Sequence, residues 1–265
     1  MRLAVGQMEP LLVDVHENLS KLRELLKEAE DNQVEVLVLP ELCNSGYVFE
    51  NLEEARFAAE EIPRGRFSEE LRSWSKPDRL VVAGICEHTP QGLYNSAAVF
   101  AQGNHITTYR KIHLFLNERD WFSPGNEEPP VVEFKDAKFG VMVCFDWAFP
   151  ETARVLTLKG AQVILHPSNL VLPYCQDAMV TRSIENSVYT ATANRVGIER
   201  GIEFSGNSQI TNTTGIRLTT LPRDEVGIAF VDIDPQAADG KMITKRNHVI
   251  TDRKPELYTR LTETD

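Results

Sequence analysis

The sequence has few cysteines, and their spacing matches neither a metal site nor a disulfide framework. Four occur in 265 residues, and no Cys-x-x-Cys pair is present, so we expect free thiols and no structural zinc site. No apolar run approaches the roughly 20 residues that a membrane-spanning helix needs. The first residues also lack the long apolar segment of a signal peptide, so we expect a cytoplasmic protein.

Positive charge is scarce as well. The 28 Lys and Arg residues are outnumbered by 39 Asp and Glu residues, which gives a formal net charge of −11 and a sequence pI of about 5.1. A field of that sign repels phosphate backbones and anionic lipid surfaces, so we expect neither nucleic acid nor membrane as a partner. Hydrophobic residues make up 42% of the chain, which is enough for one substantial core.

The hydrophobic pattern alternates between strand-like and helix-like segments. The predicted strands are Arg2–Gln7, Val34–Leu39, Leu80–Cys86, Tyr94–Ala101, Ile106–Arg110, Phe139–Cys144, Val163–Leu165, Tyr189–Ala193, Gln209–Thr211, Ile216–Leu221 and Gly227–Ile233. The predicted helices are one carrying an apolar stripe from Leu19 to Ala29, Leu52–Glu61, Phe67–Trp74, Pro150–Leu158 and Asp177–Ser187. This order favours a layered α/β or α+β fold, and periodicity alone leaves open a doubly wound sheet, a barrel or a two-sheet sandwich.

Cys144 stands where an apolar strand runs into a sharp connection and then into a helix that begins near Pro150. A thiol at such a corner lies near free backbone N–H groups and the positive end of a helix, which favours the thiolate. The same N–H groups would hold a developing oxyanion. The alternative is an inert buried cysteine at the end of a strand.

Two further residues would take part in catalysis if they lie close to Cys144. Glu41 directly follows a buried strand, where α/β folds place ligand sites, and burial would raise its pKa and suit it to act as a general base. Lys111 would stabilise an oxyanion or lower the thiol pKa. The alternatives are a solvated loop glutamate and a surface lysine. His113 would share the face of Lys111 if the strand continued, which leaves a cysteine peptidase open.

Phosphate loops, dinucleotide fingerprints and serine elbows are missing, which leaves a cysteine nucleophile as the leading hypothesis. Taken in order, three segments of the chain resemble the nitrilase superfamily of carbon–nitrogen hydrolases. They are Leu39-Pro40-Glu41, Tyr109-Arg110-Lys111-Ile112-His113-Leu114 and Cys144-Phe145-Asp146-Trp147-Ala148-Phe149-Pro150-Glu151. Further similar segments extend over essentially the whole chain, among them Tyr94-Asn95-Ser96-Ala97, His166-Pro167-Ser168-Asn169 and Asp252-Arg253-Lys254-Pro255-Glu256-Leu257-Tyr258.

The resemblance implies an α+β fold of the four-layer α-β-β-α sandwich type. Residues 1–240 would form the hydrolase domain, and residues 241–265 would form a C-terminal tail at the interface of a homodimer or an assembly of dimers. It implies no metal and no organic cofactor.

The same resemblance assigns roles. Cys144 would be the nucleophile, Glu41 the base, and Lys111 together with the backbone N–H of Phe145 the oxyanion donors. Glu118, in a charged loop that could equally be solvated, matches a second glutamate that positions substrate or supports the base. Residues near the nucleophile that could line the pocket are Cys43, Tyr47, Trp147 and Asn169.

The Cys-Phe-Asp-Trp run is similar to that of small aliphatic-amide hydrolases, whereas true nitrilases typically have Trp-Glu after the cysteine. We therefore expect a small-molecule amide substrate, converted to a carboxylic acid and ammonia through a thioester. A nitrile, an N-carbamoyl amine or the ω-amide of a dicarboxylic acid remains open on the same site. A non-enzymatic binding protein on an inherited fold is a further alternative.

Overall fold

The computed structural model describes residues 1–263 and contains two six-stranded sheets, a short hairpin and six α-helices. The strands are β1 Arg2–Gln7, β2 Val36–Val38, β3 Leu80–Thr89, β4 Gly92–Ala101, β5 Asn104–Arg110, β6 Val131–Phe134, β7 Ala137–Val141, β8 Val163–Pro167, β9 Tyr189–Ala193, β10 Ile198–Glu199, β11 Ile202–Glu203, β12 Gln209–Thr211, β13 Arg217–Thr220 and β14 Gly227–Asp232. The helices are α1 Val15–Asp31, α2 Leu52–Ala58, α3 Arg66–Trp74, α4 Glu118–Trp121, α5 Pro150–Leu158 and α6 Cys175–Asn186.

The two sheets have matching topologies. The strand order is β14-β1-β2-β3-β4-β5 in the first sheet and β13-β12-β9-β8-β7-β6 in the second. The central strands β1 to β3, and likewise β7 to β9, run parallel, and the flanking strands pair antiparallel. Parallel neighbours send their carboxyl ends to the same edge of a sheet, which is where side chains on the following loops can meet.

Side chains alternate between two cores, as strands covered on both faces require. Leu3 and Val5 of β1 pack in the core between the sheets together with Val163 and Leu165 of β8. Ala4, between them, packs with the leucines of α1 and with α3 on the outer face of the first sheet. Helices α5 and α6 cover the outer face of the second sheet. The predicted α-β-β-α sandwich is confirmed.

Most predicted elements are confirmed, but the predicted helix 52–61 ends at Ala58. The reason lies in Glu60, whose backbone N–H donates to the carbonyl of Cys86 at 3.0 Å. Its carboxylate accepts the N–H groups of Phe67 and Ser68 in the first turn of α3, at 2.9 and 2.8 Å. A glutamate that caps the next helix cannot continue the previous one.

A second prediction was wrong at the nucleophile itself. The strand predicted over 139–144 ends at Val141, and a 3₁₀ turn occupies Cys144–Ala148. The apolar pattern does not reveal this turn. Val143 and Cys144 lie outside the sheet, yet they are as buried as the residues of the strand. Strand β6, Val131–Phe134, was missed.

The last described residues, 241–263, form turns and two short 3₁₀ segments. They carry exposed apolar side chains, namely Met242, Ile243, Leu257 and Leu261. The expected contact of this tail with a partner subunit stays a prediction. None of the helices within residues 1–263 is long and apolar enough to cross a membrane.

Candidate active site

The loops after β2, β5, β7 and β8 bring polar side chains together at one end of the sandwich. Glu41 follows β2, Lys111 follows β5, Cys144 follows β7 and Asn169 follows β8. The N–H of Glu41 contacts the carbonyl of Ser168 at 3.4 Å, so the loops of the two sheets touch there.

Glu41 is held by a close passage of two backbones. A Cβ atom at Gly84 would lie 2.2 Å from the Cα of Glu41, so no larger residue fits at position 84 without moving the glutamate. The Glu41 carboxylate is fully buried, and its Oε1 accepts from Asn95 Nδ2 and from Lys111 Nζ, both at 2.7 Å. Its Oε2 has no hydrogen-bond partner among residues 1–263. One carboxylate oxygen is thus fixed and the other is free to take a proton.

Burial raises the pKa of Glu41 to about 6, although the positive charge of Lys111 opposes the rise. The negative charge of Glu118 pushes the pKa of Glu41 in the same direction as burial. A carboxyl group with such a pKa is ionised at neutral pH and is a stronger base than an exposed glutamate. The raised pKa expected from the sequence is therefore present.

Lys111 lies between two carboxylates. Its Nζ donates to Oε1 of Glu41 and to Oε1 of Glu118, each at 2.7 Å, and the lysine is fully buried. Burial disfavours the charged amine, but the charges of Glu118 and Glu41 outweigh it and raise the pKa of Lys111. The hydroxyl of Tyr47 donates to the same oxygen of Glu118 at 2.6 Å. Glu118 is thus buried and paired, not solvated.

Cys144 opens the 3₁₀ turn with a φ of +39°. This left-handed conformation costs a non-glycine residue about 1–3 kcal/mol and persists where the surroundings fix it. Asp146 helps to fix the backbone here, because its Oδ2 accepts the N–H of Val143, the residue before Cys144, at 2.8 Å. The thiol is buried and donates to the carbonyl of Asn169 at 3.7 Å.

The expectation of a lowered thiol pKa was wrong. Burial raises the pKa of Cys144 well above its usual value, and the charge of Glu41 raises it further, although Lys111 acts against both. A helix terminus lowers a thiol pKa where water still reaches the sulfur, and desolvation dominates when it does not. The resting cysteine is therefore a neutral thiol within the electrostatic reach of Glu41 and Lys111.

His113 takes no part in this group. Strand β5 ends at Arg110, before Lys111, so Lys111 and His113 do not lie on one strand face as the sequence suggested. Its Nδ1 lies 2.7 Å from Asp146 Oδ1, and its ring stacks on Phe149 at a centroid distance of 3.6 Å. This geometry gives no support to a histidine base and hence none to a cysteine peptidase.

A small cleft opens over the thiol. Its lining is mainly apolar and consists of Phe115, Cys144, Phe145, Trp147, Asn169, Leu170, Val171 and Leu172. Two of the predicted pocket residues, Trp147 and Asn169, therefore line it. Tyr47 instead contacts Glu118, and Cys43 is buried in the core under α1 and donates to the carbonyl of Gly84.

Sequence reasoning missed the segment 170–172 and Phe115. Their positions in the sequence point to the site: residues 170–172 continue the loop after β8, and Phe115 follows Lys111 by four positions. The amide of Asn169 is buried, and neither its nitrogen nor its oxygen has a hydrogen-bond partner among the described residues. Such a group faces a polar ligand more readily than an apolar one.

Comparison with known proteins agrees with this arrangement. A family model described as carbon-nitrogen hydrolase matches residues 2–240. A protein named nitrilase from Pyrococcus abyssi is 42% identical, over 98% of this chain and 100% of that protein. The 2-oxoglutaramate amidase of Bacillus subtilis is 32% identical, over 91% of this chain and 93% of its own length.

Solved structures of similar shape include the amidase of Nesterenkonia sp. AN1. A mutant of that amidase superimposes with a TM-score of 0.82 at 26% identity, covering 98% of this chain and 97% of that one. Another mutant carries the acetamide moiety of fluoroacetamide covalently at its active site cysteine; it has a TM-score of 0.83 at 25% identity and covers 98% of this chain and 96% of its own.

Proposed function

This chain belongs to the carbon–nitrogen hydrolase family, and from that premise we propose that it is an amidase that converts short aliphatic amides to carboxylic acid and ammonia through a thioester at Cys144. The observation that carries the proposal is the buried Glu41–Lys111 pair beside a neutral thiol under an apolar cleft. Membership in a family of hydrolases makes the chain an enzyme, so the alternative of a binding protein is set aside.

In the first half-reaction the free Oε2 of Glu41 takes the proton of the Cys144 thiol as the sulfur attacks the amide carbon. The carbonyl oxygen becomes an oxyanion, which Lys111 and the backbone N–H of Phe145 stabilise. The C–N bond then breaks, and Glu41 returns its proton to the departing nitrogen. Ammonia leaves and the acyl group remains on sulfur.

In the second half-reaction water occupies the place of ammonia. Glu41 takes a proton from the water, and the resulting hydroxide attacks the thioester carbon. The same two donors stabilise the second oxyanion. Collapse of this intermediate releases the carboxylic acid, and the proton on Glu41 returns to the sulfur. Glu118, held by Tyr47, keeps Lys111 in place throughout both steps.

The lining of the cleft favours a substrate whose acyl group is uncharged. Phe145, Trp147 and Leu170 to Leu172 provide apolar walls, and no Lys or Arg residue is among the lining residues within the described chain. A substrate carboxylate in such walls would lose its hydration without gaining a partner, which costs several kcal/mol unless the group is paired. Another structure of the Nesterenkonia amidase contains butyramide, a ligand of the proposed class.

A substrate panel tests the proposal. We expect propionamide and butyramide to release ammonia with a kcat/KM about 10- to 100-fold above that of succinamate or 2-oxoglutaramate, because an unpaired carboxylate would be buried in the cleft. Butyronitrile and an N-carbamoyl amine are included and are scored by ammonia and carbon dioxide.

The Cys144→Ala protein provides the blank for each substrate. Faster turnover of the ω-amides would contradict the apolar specificity. Release of carbon dioxide at the highest rate would assign the chain to carbamoyl hydrolysis instead.

The pH dependence should report the base. Because Glu41 acts as a carboxylate and its pKa is about 6, we expect kcat/KM for butyramide to be level above pH 7 and to fall about tenfold per pH unit well below 6. Thermal unfolding measured over the same pH range separates titration from acid unfolding. A profile that stays level down to pH 4.5 in folded protein would contradict this assignment.

A further inference from the structure

A buried histidine contacts the backbone of the nucleophile. His166 of β8 is fully buried, and its Nε2 lies 2.9 Å from the carbonyl oxygen of Cys144. On its other side, Nδ1 lies 3.1 Å from the hydroxyl of Thr192, the residue paired with His166 on β9. The proposed reaction makes no use of this histidine.

The contacts determine which nitrogen carries the proton. A carbonyl oxygen can only accept, so Nε2 must be the N–H that donates to Cys144. Burial lowers the pKa of His166 to about 4, so the ring is neutral and Nδ1 has no hydrogen. Nδ1 therefore accepts the hydroxyl proton of Thr192, a contact compatible with the tautomer that the Cys144 carbonyl already sets.

The Cys144 carbonyl belongs to the same peptide unit as the N–H of Phe145. This peptide bond is trans, so its C=O and N–H point in opposite directions. Holding the carbonyl against His166 therefore directs the Phe145 N–H away from the core. That N–H donates to no protein acceptor within residues 1–263, and both Cys144 and Phe145 line the cleft.

We propose that His166 is a positioning residue that locks the Cys144–Phe145 peptide and so aims the Phe145 N–H at the oxyanion. The inference rests on the proposed function, since it needs an oxyanion at this place. The lock is required because Cys144 has a positive φ, a conformation that an unrestrained peptide would leave. Rotation of this peptide would turn a carbonyl oxygen toward the substrate in place of a donor.

The test compares two replacements of His166. His166→Phe keeps a ring of similar size but removes the donor, so kcat for butyramide should fall about 10²- to 10³-fold, as for the loss of one oxyanion donor. KM should change less than about threefold, because the donor acts on the transition state. His166→Gln offers an amide N–H at similar reach and should recover most of the lost kcat.

A second measurement separates positioning from damage to the site. Alkylation of Cys144 by iodoacetamide displaces iodide and forms no oxyanion, so His166→Phe should alkylate at nearly the wild-type rate. Thr192→Val is the matched control, because it removes a hydrogen bond from the same ring but leaves the Nε2 donor; its kcat should fall less than about fivefold.

Several results would overturn the inference. They are an unchanged kcat in His166→Phe, an equal loss of alkylation and turnover, no recovery in His166→Gln, or an equal loss in Thr192→Val. If His166→Phe does not fold, His166→Asn replaces it, since its shorter amide cannot reach the carbonyl. Failure of the proposed function is distinguishable, because the wild-type protein would then release no ammonia from butyramide.

Discussion

Cys144→Ala is expected to lower kcat for butyramide by at least about 10⁴-fold, since loss of a covalent nucleophile removes the reaction path and not one contact within it. Glu41 and Lys111 remain in place, but neither can form the acyl intermediate. Hydrolysis would then need direct attack of water on the amide, because no other side chain of the described site replaces the thiol as nucleophile. Ammonia release under saturating amide measures the loss.

The folded structure should survive this change. The sulfur is a small buried atom whose hydrogen bond to the Asn169 carbonyl is long, at 3.7 Å. We therefore expect the unfolding free energy to change by less than about 2 kcal/mol, which is typical of deleting one small buried group. Binding of butyramide, measured by calorimetry, should persist because the cleft walls are intact.

Cys86→Ala is the matched control. This cysteine is also fully buried and donates to a backbone carbonyl, that of Ala55, but it packs in a separate cluster with Phe49 and Leu93. It should retain kcat within about threefold of wild type, as a buried substitution outside the site should. Mass spectrometry of the wild type during turnover should locate an acyl adduct on Cys144. Undiminished turnover in Cys144→Ala would refute the proposed nucleophile.

The fold was largely predictable because its strands carry local signals. Val34 to Leu39 is almost continuously apolar, and the residues of Tyr94–Ala101 follow a strand pattern that the sheet preserves. The end of a strand is less visible. Val143 and Cys144 look like strand residues, yet the chain turns there through a positive φ that no periodicity encodes.

The chemical character of the site was only partly predictable. Glu41 and Lys111 stand seventy positions apart, and their contact depends on how the first sheet folds. The motifs indicate which residues matter, but burial decides the thiol pKa, and burial is a property of the packed molecule. His166 carries no functional signal in the sequence, because its contact with Cys144 joins β8 to the loop after β7 and exists only in the folded chain.

The largest effect on stability is expected from Lys111→Met. Methionine fills a similar volume but removes the ammonium group whose Nζ lies 2.7 Å from both Glu41 and Glu118. Two buried carboxylates are then left facing each other, and breaking a buried ion pair in this way costs about 3–5 kcal/mol. Urea unfolding at pH 7.5 measures the loss, and turnover should disappear with the oxyanion donor.

The sign of the pH dependence identifies the cause. Without the charge of Lys111, nothing opposes burial and the charge of Glu118 as strongly, so the pKa of Glu41 rises above its wild-type value of about 6. Above about pH 6 the folded variant then binds more protons than the folded wild type, so its stability relative to wild type falls as pH rises through this range. The deficit should be largest at pH 7.5 and small at pH 4.5.

A double variant provides the internal comparison. Adding Glu118→Gln to Lys111→Met removes one of the two facing charges. The double variant should recover about 1–3 kcal/mol of the lost unfolding free energy, whereas additive effects of the two substitutions would give no recovery. Lys27→Met serves as the control, because its ion pair with Asp31 is exposed and contributes little. If Lys111→Met unfolds at the same urea concentration as wild type at pH 7.5, then Lys111 does not compensate the two buried carboxylates, and the electrostatic account of this site is wrong.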